Sequence, residues 1–302
     1  MKLCKIYGLD DAHDADPVWQ DLLLQLCPDW KELGPLHRKY WEWGLGLYGL
    51  QKLGFLRPDA VCLGVGAGVE WPLFYLANRV HRVHATDLYS VKTRFVDPDP
   101  TVPENAARLA PFPYRRESLL FQKMDALDLR FGDNTFDFVF SFSSIEHFGG
   151  RAGASLSALE IARVLKPGGV AAIATEVILD GPVHPEYFFP GELEPTFVAA
   201  SGLELVEPFD LSVDDELISH PVRFDYPPGF GGNTGPHTSV TYGKFTFTSV
   251  EFFLRKPKEW KRPARSAVMR LNARRQAWLI EHGVRRHVPR FIRSAVKRLV
   301  AS

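Results

Sequence analysis

The stretch VCLGVGAGVE, residues 61–70, decides the fold of this chain. It begins as an apolar run and then carries Gly64, Gly66 and Gly68 at every second position before the carboxylate of Glu70. An apolar strand that ends in glycines is typical of the first strand of a parallel α/β sheet, where a ligand approaches the backbone with no Cβ in between. The stretch therefore predicts a ligand site at the carboxyl end of this strand.

The glycines fit neither common phosphate-binding pattern. The dinucleotide fingerprint GxGxxG would need its third glycine at Val69 or at Trp71, depending on where it starts, and no P-loop GxxxxGK[ST] occurs in the chain. The pattern points to a nucleoside ligand without a pyrophosphate. A nicotinamide-dependent oxidoreductase is the disfavoured alternative.

Strand-like and helix-like segments alternate outward from this stretch. Strands are expected at 59–65, 82–87, 119–124, 136–142 and 169–177, and helices or loops at 72–79, 104–109 and 152–165. Strands separated by helices imply a parallel sheet with right-handed crossovers. Aromatic-rich helices are expected at 17–53, and further strands at 203–210 and 246–255.

Carboxylates follow the second and third strands. Asp87, in VHATDLY, stands at the end of the second strand, 21 positions after Gly66, and Asp125 lies in MDALDL after the third. At the shared carboxyl edge, Asp87 can accept hydrogen bonds from both ribose hydroxyls and Asp125 from an adenine amino group. Pro72 fits the first turn of a helix whose N–H groups suit a ligand carboxylate. A tight turn or a helix cap would explain each feature alone; together they favour a nucleoside site.

Five segments carry a family resemblance: GVGAG, the strand end at Asp87, MDALDL, FDFVFSFSSIEH and EIARVLKPGGVAAI. In order and spacing they resemble the motifs of class I S-adenosylmethionine-dependent methyltransferases over about residues 59–177. The segments FPYRRE and SIEHFGG look like methyltransferases of bacterial surface-glycan and natural-product gene clusters. The resemblance implies S-adenosylmethionine as cofactor. The expected cofactor-binding residues are Gly66, Ala67, Gly68, Glu70, Asp87, Leu88, Asp125, Ala126 and Ser141.

One position departs from the family pattern. The family usually has Asp or Glu two residues before the first invariant glycine of its loop, where this chain has Gly64. Glu70, at the helix entrance, is the candidate to approach the ligand's ammonium instead. The departure also motivates a second hypothesis, a methyltransferase fold without catalysis that serves as a binding or scaffolding subunit.

The EH pair after the fourth strand is the predicted catalytic group. A hydroxyl acceptor is too weakly acidic to ionise at neutral pH, so a nearby base can take its proton during methyl transfer. His147 is the candidate base, and Glu146 can orient it or share the proton. The alternative is a pair that only caps the strand-to-helix turn.

The segment GPVHPEYFFP, after the fifth strand, contains the predicted acceptor contacts. They are His184 and Tyr187, with Glu186 between them; His220 and His237 are weaker candidates. A proline-stiffened surface loop is the alternative. No cluster has metal-ligand spacing, so no metal is expected, although distant Asp and His residues can still meet in the fold.

Composition limits the class of protein. The chain has 302 residues, 45% of them hydrophobic, and no run long enough to cross a bilayer; the acidic start lacks the order of a signal peptide. The three cysteines form no CxxC pair and are expected to be reduced and structural. A cytoplasmic location is therefore expected.

The charge is uneven along the chain: residues 255–302 contain 15 Lys and Arg against 2 Glu, although the net charge is zero. Residues 289–302 form a predicted basic amphipathic helix that suits an anionic lipid surface, which would place the protein at the inner membrane face. Docking on its own acidic body or on another subunit is the alternative. The core lacks the NPPY and Pro-Cys motifs of nucleic-acid methylases, which argues against nucleic acid as a partner. The oligomeric state is open.

The predicted fold class is α/β: a doubly wound Rossmann-like parallel sheet with an antiparallel last strand, an N-terminal helical lid and a C-terminal basic helical tail. The methyltransferase domain spans 1–255, divided into a lid (1–58), a cofactor-binding core (59–178) and substrate-side loops with the last strands (179–255); the tail is 256–302. The loop FDYPPGFGGNTGPHTS is expected over the site. The expected reaction is methyl transfer to a hydroxyl of a sugar, glycolipid or small metabolite.

Overall fold

A computed structural model describes residues 1–8, 11, 16–28, 37–89, 100–219, 221–223 and 238–281. The helices are α1 (Pro17–Leu26), α2 (Arg38–Lys52), α3 (Trp71–Ala77), α4 (Val102–Leu109), α5 (Gly150–Val164), α6 (Ala199–Ser201), α7 (Asp215–Ser219) and α8 (Arg265–Glu281). The strands are β1 (Lys5–Ile6), β2 (Val61–Val65), β3 (Arg82–Asp87), β4 (Leu119–Lys123), β5 (Phe136–Phe142), β6 (Leu165–Asp180), β7 (Glu204–Leu205), β8 (Val222–Arg223), β9 (Val240–Tyr242) and β10 (Phe245–Arg255).

All of these strands belong to one sheet, in the order β4-β3-β2-β5-β6-β10-β9-β8, and β1 and β7 also pair with β10. Neighbours from β4 to β6 are parallel, and β10 is antiparallel to β6. The predicted doubly wound sheet with an antiparallel last strand is confirmed. The chain reverses its direction of travel across the sheet between β2 and β5, and sheets of this kind bind ligands at the carboxyl ends of those strands.

The strand boundaries differ from the predictions where pairing extends or shortens a segment. The fifth predicted strand continues to Asp180 because β10 pairs with it as far as Thr246. The run 203–210 contains only β7, and Asp210 makes a single bridge to Lys5. The predicted helices at 17–53 are present as α1 and α2. Most of the predicted loop at 224–239 lies outside the described residues.

Helix α2 packs closely on the sheet because glycines occupy its contact face. A Cβ added at Gly46 would overlap the ring of Phe142, and one added at Gly49 would overlap the ring of Phe253. Trp41 of the same helix is fully buried. The helix is therefore a packed layer of the domain as well as the segment that precedes the cofactor-binding core.

The beginning of the predicted basic tail docks on the body of the domain. Val268 and Asn272 of α8 are buried, and Ser155 Oγ of α5 donates a hydrogen bond to Asn272 Oδ1 at 3.4 Å. Arg262 contributes an ion pair with Glu160 at 3.1 Å. The predicted amphipathic helix at 289–302 lies outside the described residues. Within those residues, no helix has the length and apolar character to span a membrane.

The close approach of α2 to the sheet gives a stability prediction. Gly49→Ala should lower the free energy of unfolding by about 1–2 kcal/mol, because the strain of overpacking exceeds the gain in helix propensity. Gly191→Ala is the matched control, since a Cβ there meets no atom within 4 Å. Urea unfolding of both variants measures the difference. Equal midpoints for the two variants would contradict the packing argument.

Candidate active site

The glycine turn after β2 is held by hydrogen bonds from three neighbouring segments. Gly66 and Gly68 have φ values of 62° and 48°, which favour glycine. Ser144 Oγ donates to the Gly66 carbonyl at 2.7 Å, and Tyr89 OH donates to the Gly68 carbonyl at 3.1 Å. The Ala67 N–H also donates to the backbone of β3 at 3.0 Å. The turn is therefore fixed before any ligand binds.

Asp87 lies beside this turn at the end of β3. Its Oδ2 accepts the Gly68 N–H at 3.0 Å and its Oδ1 accepts the Leu88 N–H at 2.7 Å. Each carboxylate oxygen can accept more than one hydrogen bond, so the backbone orients the group and leaves capacity for ligand hydroxyls. Leu88 is 47% exposed at the same edge and offers an apolar surface to a base. The residues present fit the adenosine half of the predicted cofactor.

The remaining predicted cofactor contacts divide between the edge and the interior. Asp125 is exposed after β4, and its Oδ1 accepts the Leu127 N–H at 2.8 Å, while Ala126 is buried. Ser141 is fully buried within β5. Ser143, which follows β5 and was not predicted, has a φ of 48° and a buried Oγ without a hydrogen-bond partner in the described part of the chain.

Glu70 has a partner that the sequence did not indicate. Lys39 Nζ of α2 lies 2.6 Å from Glu70 Oε1, donates to the Phe142 carbonyl at 2.7 Å and lies 3.2 Å from Glu42 Oε2. Burial raises the pKa of Glu70 to about 7, although Lys39 acts to lower it. The Lys39 ammonium therefore already pairs with Glu70, the carboxylate that was expected to bind the ammonium group of the ligand.

Two buried carboxylates, those of Glu146 and Glu176, lie close together beside His147. We call these three residues and the charged side chains that contact them the rim of the site. Thr175 Oγ1 donates to Glu146 Oε2 at 2.9 Å, and Arg38 Nη1 donates to Glu176 Oε1 at 2.8 Å. Burial, followed by the charge of Glu176, raises the pKa of Glu146 well above its ordinary value. The pKa of Glu176 is lowered to about 2, because Arg38, Glu146 and His147 outweigh the effect of burial.

His147 stands next to this pair and is only partly buried. Its Nδ1 lies 3.1 Å from Glu186 Oε2, and its Nε2 lies 3.9 Å from Glu146 Oε1. Burial acts to lower the pKa of His147, but the hydrogen bond to Glu186 and the charge of Glu176 outweigh it and raise the pKa. The structure thus brings the predicted EH pair together with Glu186 of the next loop.

His184 and Tyr187 occupy a packed turn. His184 Nδ1 accepts the backbone N–H groups of Glu186 and Tyr187 at 3.3 and 3.2 Å, and burial lowers the pKa of its ring. The ring centroids of His184 and Tyr187 are 4.3 Å apart, and Tyr187 packs against Phe247 at 4.7 Å. Arg151 donates to the carbonyls of His184 and Tyr187 and holds the segment in place. The structure therefore gives both residues packing contacts within a turn, and their predicted contact with the acceptor stays a prediction.

Sequence reasoning missed the charged groups that complete the rim. They are Arg38, Lys39, Glu42, Arg151 and Glu176. The signal for Glu176 was a single carboxylate inside the apolar strand VAAIATEVIL, because a charge within a buried strand needs a partner. His220 and His237, the weaker candidates, lie outside the described residues.

Solved structures of similar fold include three that span most of this chain. The [4+2]-cyclase SpnF is 18% identical, covers 80% of this chain and 97% of its own, and has a TM-score of 0.50. A SAM-dependent methyltransferase from Aquifex aeolicus is 17% identical over 78% and 98% of the two chains, with a TM-score of 0.43. The 1,6-didemethyltoxoflavin-N1-methyltransferase of Burkholderia thailandensis, with 1,6-didemethyltoxoflavin and S-adenosylhomocysteine bound, is 21% identical over 82% and 84%, with a TM-score of 0.42.

The strand order, the glycine turn after β2 and the carboxylate after β3 define the fold of the class I S-adenosylmethionine-dependent methyltransferases. Residues 63–173 match the family model described as a methyltransferase domain. S-adenosylmethionine is the cofactor of the class.

Glu251 of β10 gives a pH-dependent prediction. It is fully buried, and neither of its carboxylate oxygens has a hydrogen-bond partner in the part of the chain described. Burial, and then the charge of Glu42, raises its pKa well above its ordinary value, although Lys39 opposes them. The folded state therefore holds a proton that the unfolded chain releases, and this lowers stability as the pH rises above about 4.5.

Glu251→Gln should remove that loss. We expect the melting temperature at pH 7.5 to rise by about 2–4 °C, which corresponds to about 1 kcal/mol in a domain of this size. The difference from the wild type should shrink as the pH falls through about 4.5, where the unfolded chain takes up the same proton. Scanning calorimetry at several pH values measures it, with the exposed Glu104→Gln as control. A difference that does not change with pH would contradict the assignment.

Proposed function

We propose that the protein transfers a methyl group from S-adenosylmethionine to a hydroxyl of a sugar, glycolipid or small metabolite. One observation carries the proposal: the glycine turn with Asp87 and the Glu146–His147 pair lie at the carboxyl ends of neighbouring strands of one sheet. A nucleoside held by Asp87 and an acceptor at His147 would meet across that edge.

The chain's own residues would hold the cofactor by their backbone and by one carboxylate. The fixed turn at Gly66 and Gly68 admits the amino-acid arm, Asp87 accepts the ribose hydroxyls, and Leu88 covers one face of the base. S-adenosylmethionine supplies a methyl group that is already electrophilic. The protein therefore has to align the acceptor and exclude water, and alignment of this kind contributes roughly 7–11 kcal/mol at best.

The acceptor would bind at the rim formed by His147. This side chain is 29% exposed, whereas Glu146 is fully buried, so His147 is the member of the pair that an entering hydroxyl meets. Glu186 fixes the ring through Nδ1 and directs Nε2 to the side of Glu146. In the simplest form of the reaction His147 takes the hydroxyl proton as the methyl group transfers.

A binding or scaffolding subunit remains the second candidate, and Lys39 is the observation that favours it. The Lys39 ammonium forms an ion pair with Glu70. Glu70 is the carboxylate expected to replace the acid that the family usually has at the position of Gly64, and it is therefore already paired. Isothermal titration with S-adenosylhomocysteine separates the two candidates. Binding in the micromolar range supports the enzyme, and the absence of heat supports the scaffold.

Asp87→Ala tests the cofactor site. We expect the affinity for S-adenosylhomocysteine to fall by at least about 100-fold, because two hydrogen bonds to a charged group are lost at about 1.5–3 kcal/mol each. Asp128→Ala, which removes another exposed carboxylate from the same edge, should leave the affinity unchanged. Similar affinities in the two variants would place the ribose elsewhere.

His147→Ala tests the acceptor side. Turnover should fall by about 10²- to 10⁴-fold while the dissociation constant of S-adenosylhomocysteine stays the same. His81→Ala, at an exposed position, serves as the control. Unchanged turnover in the His147 variant would remove this residue from the reaction.

A further inference from the structure

Each rim carboxylate has one oxygen that is held and one that is not. Thr175 holds Glu146 Oε2 and Arg38 holds Glu176 Oε1. The other two oxygens, Glu146 Oε1 and Glu176 Oε2, are buried and accept no hydrogen bond from any other donor in the described residues, so only a proton shared between the two carboxylates or a bound ion would satisfy them. Glu146 is 0% exposed and Glu176 is 3% exposed, so water does not solvate these oxygens. A buried carboxylate oxygen without a donor is costly, and a bound ion removes that cost.

His147 completes a group of three ligand atoms. One atom from each of Glu146, His147 and Glu176 lies within 4.8 Å of the other two. Glu186 contacts His147 Nδ1 at 3.1 Å, which is the arrangement in which a carboxylate orients a metal-binding imidazole through its second nitrogen. Glu146 and His147 come from the turn after β5 and Glu176 comes from β6, so their spacing in the sequence gave no sign of a site.

We propose that Glu146, His147 and Glu176 bind a divalent cation. Two carboxylates and one imidazole suit Mn²⁺ or Zn²⁺, and three protein ligands leave coordination positions for water or a substrate. His147 is partly exposed, so an ion could reach the group from its side, whereas Thr175, Arg38 and Glu186 each fix one of the three ligands. This proposal replaces the expectation from spacing that the chain has no metal site.

The cation would act on the acceptor, and this role rests on the proposed function. A divalent ion polarises a coordinated hydroxyl and lowers its pKa. The hydroxyl proton then passes to water, the S–CH3 bond breaks and the O–CH3 bond forms, and the thioether product retains the electron pair. His147 holds the cation in this scheme and does not take the proton itself.

The alternative to a cation is a proton shared by Glu146 and Glu176. With this proton the two carboxylates together carry one negative charge, which Arg38 balances. The group would then need no metal ion. The two possibilities differ in what they bind, because only the first gives a saturable site for a metal ion in the absence of cofactor and acceptor.

The experiment uses the full chain, treated with a chelator and then freed of it. Titration with MnCl₂, followed by the electron paramagnetic resonance signal of free Mn²⁺, should show one site with a dissociation constant in the micromolar range. Glu146→Gln and Glu176→Gln should weaken this site by at least about 10-fold, because each removes a charged ligand of similar shape. Glu251→Gln removes a buried carboxylate outside the group and should not change the affinity.

His147→Ala should also weaken Mn²⁺ binding. Because His147 is partly exposed, this variant keeps the test valid if the substitutions at the buried Glu146 and Glu176 prevent folding. No saturable site below millimolar Mn²⁺, or a site that all three ligand variants retain, would overturn the proposal. Binding of S-adenosylhomocysteine is measured in parallel. Cofactor binding without Mn²⁺ binding rejects the metal site alone, and Mn²⁺ binding without cofactor binding rejects the proposed methyl transfer alone.

Discussion

Two cations of helix α2 hold the carboxylates between this helix and the sheet. Arg38 contacts Glu42 and Glu176, and Lys39 contacts Glu42 and Glu70. A charge that leaves water costs several kcal/mol unless a partner compensates it, so Glu176 and Glu70 can stay ionised and buried only while Arg38 and Lys39 lie beside them. The position of α2 and the charge state of the rim therefore depend on each other. The same helix is fixed by shape, because its glycines bring it into contact with the rings on the sheet.

This dependence gives α2 a part in the chemistry that a simple cover would not have. Arg38 fixes one oxygen of Glu176 and also donates to Ser249 Oγ of β10 at 3.2 Å. Lys39 donates to the carbonyl at the end of β5, directly before the turn that leads to His147. A shift of the first turn of α2 would thus move both ion pairs at once. It would change the surroundings of Glu176 at the acceptor rim and of Glu70 at the cofactor site.

The sequence predicted the sheet well, because the sheet depends on local signals. Glycines at the end of a strand and Asp87 at the next strand end occupy positions that strand order alone brings together. The rim was predicted only in part: the EH pair was found, whereas Glu176 and Arg38 were not, because they lie about 30 and 110 residues from His147 in the chain. Pairing of buried charges over such separations follows from packing and leaves no period or motif in the sequence. His184 and Tyr187 were expected at the acceptor on strand order alone, but ring packing determines their surroundings.

Fold alone does not decide the reaction, since a chain described as a [4+2]-cyclase shares this fold. The energetics of the rim bear on whether the chain is an enzyme or a scaffold. Well-packed apolar residues in place of a buried charged group are often neutral or more stable by about 1–4 kcal/mol, so a subunit that only binds a partner gains nothing from Glu146 and Glu176 beneath a partly exposed histidine. Each carboxylate has one oxygen fixed by a donor, and a shared proton or a bound cation would satisfy the other two oxygens. Two buried carboxylates beneath a partly exposed histidine therefore favour binding or chemistry at that point over structural support alone.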